Sequence, residues 1–100
     1  AEGWHQAQFQ AHELLMGRMW PQIGGKPELL DIIGVNYYFN NQWIHGGPPI
    51  DMDHPLYRPL SDLLFEIYAR YARPIFIAET GVEGDRRGPW LDYVASEVAR

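Results

Sequence analysis

The chain has 100 residues, room for one small domain at most, and is 46% hydrophobic and 14% aromatic, so it demands a packed core and is not a disordered chain. Its 13 acidic and 8 basic side chains give a net charge of −5, which argues against the basic footprint of a nucleic-acid binder. It has no cysteine, which excludes disulfides, thiolate metal sites and thiol catalysis.

The first predicted element is a helix over residues 3–19. Trp4, Ala7, Ala11, Leu15 and Met19 recur at steps of three and four, and Pro21 lies just beyond. Gly24-Gly25 and Pro27 mark a turn. Ile32 to Tyr38, in "LLDIIGVNYY", is β-branched and aromatic and reads as a buried strand. From Phe39 to about Arg58 the chain carries Asn40-Asn41, Gly46-Gly47, Pro48-Pro49 and Pro55, so no helix or strand runs through it. Loops of this length are usually functional or disordered, and Phe39, Trp43, Ile44 and Tyr57 count against disorder. Next comes a helix, "RPLSDLLFEIYARYA". Pro59 suits its first turn, Leu60, Leu63, Leu64, Ile67, Tyr68 and Tyr71 form one apolar stripe, and Arg70 and Arg73 sit near its C-terminus. Pro74 stops it and a strand over 75–79 follows at once. After the turn-rich "TGVEGDRRG", Pro89 opens a last amphipathic helix, "PWLDYVASEVAR".

The order α-β-α-β-α, with a helix between the strands, implies two adjacent parallel strands joined by a crossover. Two strands cannot cover their own faces. The chain is therefore expected to be either an α/β piece of a larger protein or a piece that must associate. A TIM (β/α)8 barrel needs about 250 residues, so residues 1–100 would form only a partial barrel domain.

Parity then groups the side chains. Ile32, Gly34, Asn36 and Tyr38 point one way, and Ile33, Val35 and Tyr37 the other. In the second strand Ile75, Ile77 and Glu79 point together, opposite Phe76 and Ala78. Asn36, Tyr38 and Glu79 all fall at carboxyl ends, where parallel α/β folds bind ligands. A carboxylate there is expected to be partly desolvated and to need hydrogen bonds to stay charged, and Tyr38 is placed to supply one. Such an oriented carboxylate suits a covalent nucleophile. The plainer alternative is a Glu79 that closes the strand through a salt bridge to Arg86 or Arg87.

"DIIGVNYY" followed by "PIFIAETG" resembles the end of a family-one glycoside hydrolase, the β-glucosidase type. The resemblance covers roughly residues 28 to 81. It implies an eight-stranded β/α barrel that cleaves β-glycosides with retention. By that resemblance Glu79 matches the nucleophile of the family's T-E-N-G motif. Tyr38 matches the tyrosine that hydrogen-bonds it, and Asn36 a pocket residue from D-F-x-G-x-N-Y-Y. Ala78 stands where the family has Thr, and Thr80 where it has Asn. Retention needs a second carboxylate about 5–5.5 Å from the first. The family's acid/base is a Glu following an Asn, and no Asn-Glu pair occurs in these residues. Glu13, Glu83, Asp51 and Asp53 are poor substitutes. The acid/base is therefore expected outside this chain, which by itself should not hydrolyse glycosides.

Other features weigh less. Trp43, in the long loop, offers an apolar face to a sugar ring or simply packs. His45, His54, Asp51 and Asp53 match no closed metal site, and Met16 removes an H-E-x-x-H reading after His12-Glu13. "GVEGDRRG", with Arg86 and Arg87 before a helix, reads more readily as a solvated charged turn than as an anion site. Trp4, Trp20 and Trp90 read as core or docking residues. No cofactor or metal is expected, and no membrane span or signal peptide is seen. The compartment stays open, with the cytoplasm favoured. The expected partners are a β-linked glycoside and the rest of the barrel. Two other readings stand beside the glycosidase: a non-catalytic carbohydrate-binding or scaffold barrel, and a barrel enzyme that uses Glu79 as a general base.

Overall fold

The computed structural model describes residues 6–44 and 46–100. It divides into two compact units, Ala1–Ile33 and Gly34–Arg100. Trp4 and His45, named above as a docking residue and a weak metal candidate, lie outside the described residues.

In the first unit helix α1 spans Gln10–Met16. Gly17, at φ 77°, closes it, a left-handed conformation that glycine adopts without a Cβ penalty. Single-turn 3₁₀ segments follow at Pro21–Ile23 and Pro27–Leu29, each opened by proline. The Lys26 N–H donates to the Leu15 carbonyl at 2.7 Å, so the Gly24-Gly25 turn folds back onto the end of α1. A Cβ on Gly25 would run into the Leu14 carbonyl oxygen, which explains glycine there. Among the described residues of this unit, Phe9, Met16, Leu30 and Ile33 are the buried apolar ones. The predicted stripe is corrected: Ala7, Ala11 and Leu15 are exposed, and the buried face runs through Phe9 and Met16. Trp20 is 61% exposed and is no core residue.

The second unit carries the mixed helix and strand layer. Strand β1 spans Ile33–Tyr38, helix α2 Leu60–Tyr71, strand β2 Ile75–Gly81 and helix α3 Arg87–Val98. The two strands pair in parallel in one two-stranded sheet. The order and type of these elements agree with the reading of the sequence. Pro59 sits just before α2 in extended conformation, where its missing N–H costs nothing. Pro89 falls in the first turn of α3, which begins two residues earlier, after a 3₁₀ turn at Gly84–Arg86.

The core of this unit is Tyr37, Leu60, Trp90 and Val94, with Val35, Leu63, Leu64, Ile77, Val82 and Tyr93 packed around it. Both helices therefore cover one face of the sheet. The other face carries Gly34, Asn36, Phe76 and Ala78, all exposed. A Cβ on Gly34 would lie 3.0 Å from the Phe76 ring and 3.4 Å from the Ala78 Cβ, so these three crowd together on the uncovered side. At its N-terminus α2 leaves backbone donors without helical partners. Glu97 of α3, buried, accepts one of them from the Ser61 N–H at 3.3 Å, and its negative charge suits that helix end.

Polar bonds order the long loop more than apolar burial does. Gln42 Nε2 donates to the Arg58 carbonyl at 2.7 Å, and Gln42 Oε1 accepts the Arg58 N–H at 2.9 Å. One side chain thus clamps both ends of the loop together. The Ile50 N–H adds a bond to the Gln42 carbonyl, and Trp43 and Pro49 form an antiparallel bridge. Phe39, Trp43 and Ile44 stay exposed, so their hydrophobicity is not what holds the segment. No helix among the described residues is long and apolar enough to cross a membrane.

Candidate functional site

Strand β1 ends on Tyr38 and β2 brings Glu79 beside it. The Tyr38 hydroxyl donates to Glu79 Oε2 at 2.7 Å. This bond to an anionic acceptor raises the Tyr38 pKa above its ordinary value, with burial and the carboxylate charge adding to it. At neutral pH a phenol keeps its proton, so Tyr38 is a donor to the carboxylate. Tyr38 also lines an open cleft of about 640 Å³ with Phe39, Asn40, Val82, Glu83 and Arg86. The Arg86 guanidinium lies over the Phe39 ring, 4.8 Å from its centroid.

Two expectations need correction here. Glu79 is exposed rather than partly desolvated, as are Gly34, Asn36, Phe76 and Ala78 on the sheet face opposite the helices. The parity grouping of Ile75, Ile77 and Glu79 also fails. Ile77 packs on the core, whereas Ala78 and Glu79 are exposed in succession and Thr80 turns inward. Trp90 Nε1 donates to Thr80 Oγ1 at 2.8 Å, on the core side. Alternation thus slips at the end of β2, where Glu79 meets Tyr38.

Glu79 forms no salt bridge with Arg86 or Arg87 among the described residues, so the ion-pair alternative has no contact behind it. Asn36 is exposed on β1, two residues before Tyr38, and Trp43 is 60% exposed in its loop bridge. Neither lines the cleft beside Tyr38. The structure joins Tyr38 to Glu79 by a hydrogen bond, and among the described residues neither Asn36 nor Trp43 bonds to that pair. The loop acids and His54 work locally. Asp51 Oδ1 accepts the Asp53 N–H at 3.1 Å, and His54 Nδ1 accepts the Leu56 N–H at 3.0 Å, both two-residue turn bonds. No group of three or more His, Cys, Asp or Glu among the described residues could hold a metal ion.

Sequence reasoning missed a polar network beneath this mouth. The hydroxyls of Tyr37 and Tyr57 share a bond at 2.8 Å, and those of Tyr57 and Tyr93 one at 3.1 Å. Gln42 Nε2 donates to the Tyr37 hydroxyl at 2.8 Å, and the Leu60 N–H to the Tyr93 hydroxyl at 3.0 Å. Burial is the main force raising the Tyr37 pKa, partly offset by its bonds to Tyr57 and Gln42. Tyr57 is pushed up further, by burial and then by its two hydroxyl partners. A polar Gln between turn formers carries no sequence signal. Three tyrosines on three separate elements could not be matched without the fold.

Comparison with known family models, curated proteins and solved structures finds no match for this chain.

Proposed function

We propose that this chain is part of a retaining β-glycosidase of the β-glucosidase type, with Glu79 as the nucleophile at the mouth of a β/α barrel. The observation that carries this reading is the 2.7 Å bond from the Tyr38 hydroxyl to Glu79 Oε2, at the carboxyl ends of two paired parallel strands. A glycosidase nucleophile must be ionised and held in one orientation. Tyr38, kept protonated, fixes Oε2 and leaves Oε1 free to approach an anomeric carbon.

In the first step a bond forms from the Glu79 oxygen to the anomeric carbon as the bond to the leaving oxygen breaks. The leaving oxygen takes a proton from an acid elsewhere in the complete protein. In the second step water attacks the same carbon, releases Glu79 as a carboxylate, and gives its proton to that acid's conjugate base. The uncovered sheet face of Gly34, Asn36, Phe76 and Ala78 suits a chain completed by further strands. Asn36, on that face, and Trp43, in the loop, are assigned to substrate contact in the completed barrel.

Trapping with a 2-fluoro β-glycoside tests this on the full-length protein. The expected result is a sugar bound covalently to Glu79, located by mass spectrometry of the digested protein. An active enzyme that carries no label at Glu79 rejects the covalent reading and favours a general-base role. A protein that binds the sugar without turnover favours the non-catalytic barrel.

A further inference from the structure

We infer that Thr80 and Trp90 are positioning residues that turn Glu79 toward Tyr38. Strict alternation along β2 would put Glu79 on the face of Ile77, against the helices, and Thr80 on the face of Ala78. The structure has the reverse. Thr80 is drawn inward by the 2.8 Å bond from Trp90 Nε1, and Glu79 is left outside, bonded to Tyr38 at 2.7 Å.

The anchor is packed against two tyrosine rings. Trp90 is buried and stacks on Tyr37, with centroids 5.8 Å apart and planes 19° from parallel. It also contacts the Tyr93 ring at 5.6 Å. Tyr37 is the sequence neighbour of Tyr38, so one buried indole references both strand ends. It fixes Tyr37 inward, which leaves Tyr38 outward, and it fixes Thr80 inward, which leaves Glu79 outward. A buried indole N–H needs an acceptor, and Thr80 Oγ1 is the one it has here. The indole bond and the orientation of the carboxylate are therefore coupled through a single peptide link.

The inference rests on the glycosidase reading only for its catalytic consequence; the geometric claim stands without it. The test uses the full-length protein and two substitutions. Thr80→Val keeps the shape and removes the acceptor, and Thr80→Ser keeps the acceptor. Tyrosine ring-labelled NMR follows the Tyr38 titration, assigned by the signal that Tyr38→Phe deletes. Tyr38 faces Glu79 directly, with Glu83 and Arg86 on the same cleft.

In the parent the Tyr38 midpoint is expected above 10; in Thr80→Val it falls back toward that value, and in Thr80→Ser it does not. With an aryl β-glucoside, Thr80→Val is expected to lower kcat/KM by about 10- to 100-fold at nearly constant KM. An unmoved Tyr38 midpoint in Thr80→Val overturns the inference. A moved midpoint in a full-length protein that never shows turnover supports the positioning and overturns the glycosidase reading instead.

Discussion

Tyr37 and Tyr38 are neighbours in sequence and belong to different regions of the molecule. Tyr37 points into the core, where its hydroxyl joins Tyr57 and Gln42 and its ring stacks on Trp90. Tyr38 points to the uncovered face, where its hydroxyl holds a carboxylate. Both phenols have raised pKa values, for opposite reasons. Burial dominates at Tyr37, and a bond to an anion dominates at Tyr38. A raised tyrosine pKa therefore does not by itself mark a site. The cause separates a phenol that stabilises a loop from one that serves a carboxylate.

The sharpest way to break the comparison is at Glu79. Glu79→Gln in the full-length protein is expected to lower kcat on the order of 10⁴-fold or more, while its urea midpoint stays that of the parent. A lost fold with this substitution would move Glu79 into the structural region and end the distinction. Gln42→Ala should do the reverse. It removes three hydrogen bonds that tie Arg58 and Tyr37 to the loop, and a loss of about 2–3 kcal/mol in urea unfolding is expected. The Tyr38 titration should be unchanged in that variant. A smaller effect is expected from Tyr38→Phe: kcat/KM lower by about tenfold and stability nearly untouched, since the ring stays and one accessible bond goes. Kinetics equal to the parent's would remove Tyr38 from the site.

How much of this was legible in the sequence depends on the range of the forces involved. The strands, α2 and the position of Glu79 at a carboxyl end follow from local periodicity and from Pro59, Pro74 and Pro89. These signals act within a few residues, and the sequence carries them directly. Periodicity alone places the buried face of α1 one face out, because the stripe through Ala11 and Leu15 competes with Phe9 and Met16, and only packing decides between them. The pairing of Tyr38 with Glu79 was anticipated from strand ends, but its mechanism was not. Strict parity implied that Glu79 shares the face of Ile77, and the Trp90–Thr80 bond overrides it. That bond joins a strand to a helix packed on it, which periodicity cannot register. The same holds for Gln42, whose partners Tyr37 and Arg58 meet it only once the loop has closed.

The last and smallest prediction separates the two regions by pH. Tyr37 and Tyr57 have raised pKa values in the folded chain. Below pH 10 both folded and unfolded phenols are protonated, so no pH dependence arises from them. Above 10 the unfolded chain loses these protons while the folded chain keeps them. The native state then binds more protons, and stability falls as pH rises. Tyr57→Phe removes one such group and should flatten the fall. The difference in slope is expected to be a fraction of a kcal/mol per pH unit near pH 10, where the unfolded phenol is only partly ionised. It should appear in urea unfolding measured at pH 9 and again above pH 10. Tyr38→Phe should flatten the slope less, because its phenol is held first by a bond to a solvent-accessible carboxylate, with burial only second. Equal slopes for the two variants would mean that the loop tyrosines and the mouth tyrosine share one environment, and the distinction drawn from their causes would fail.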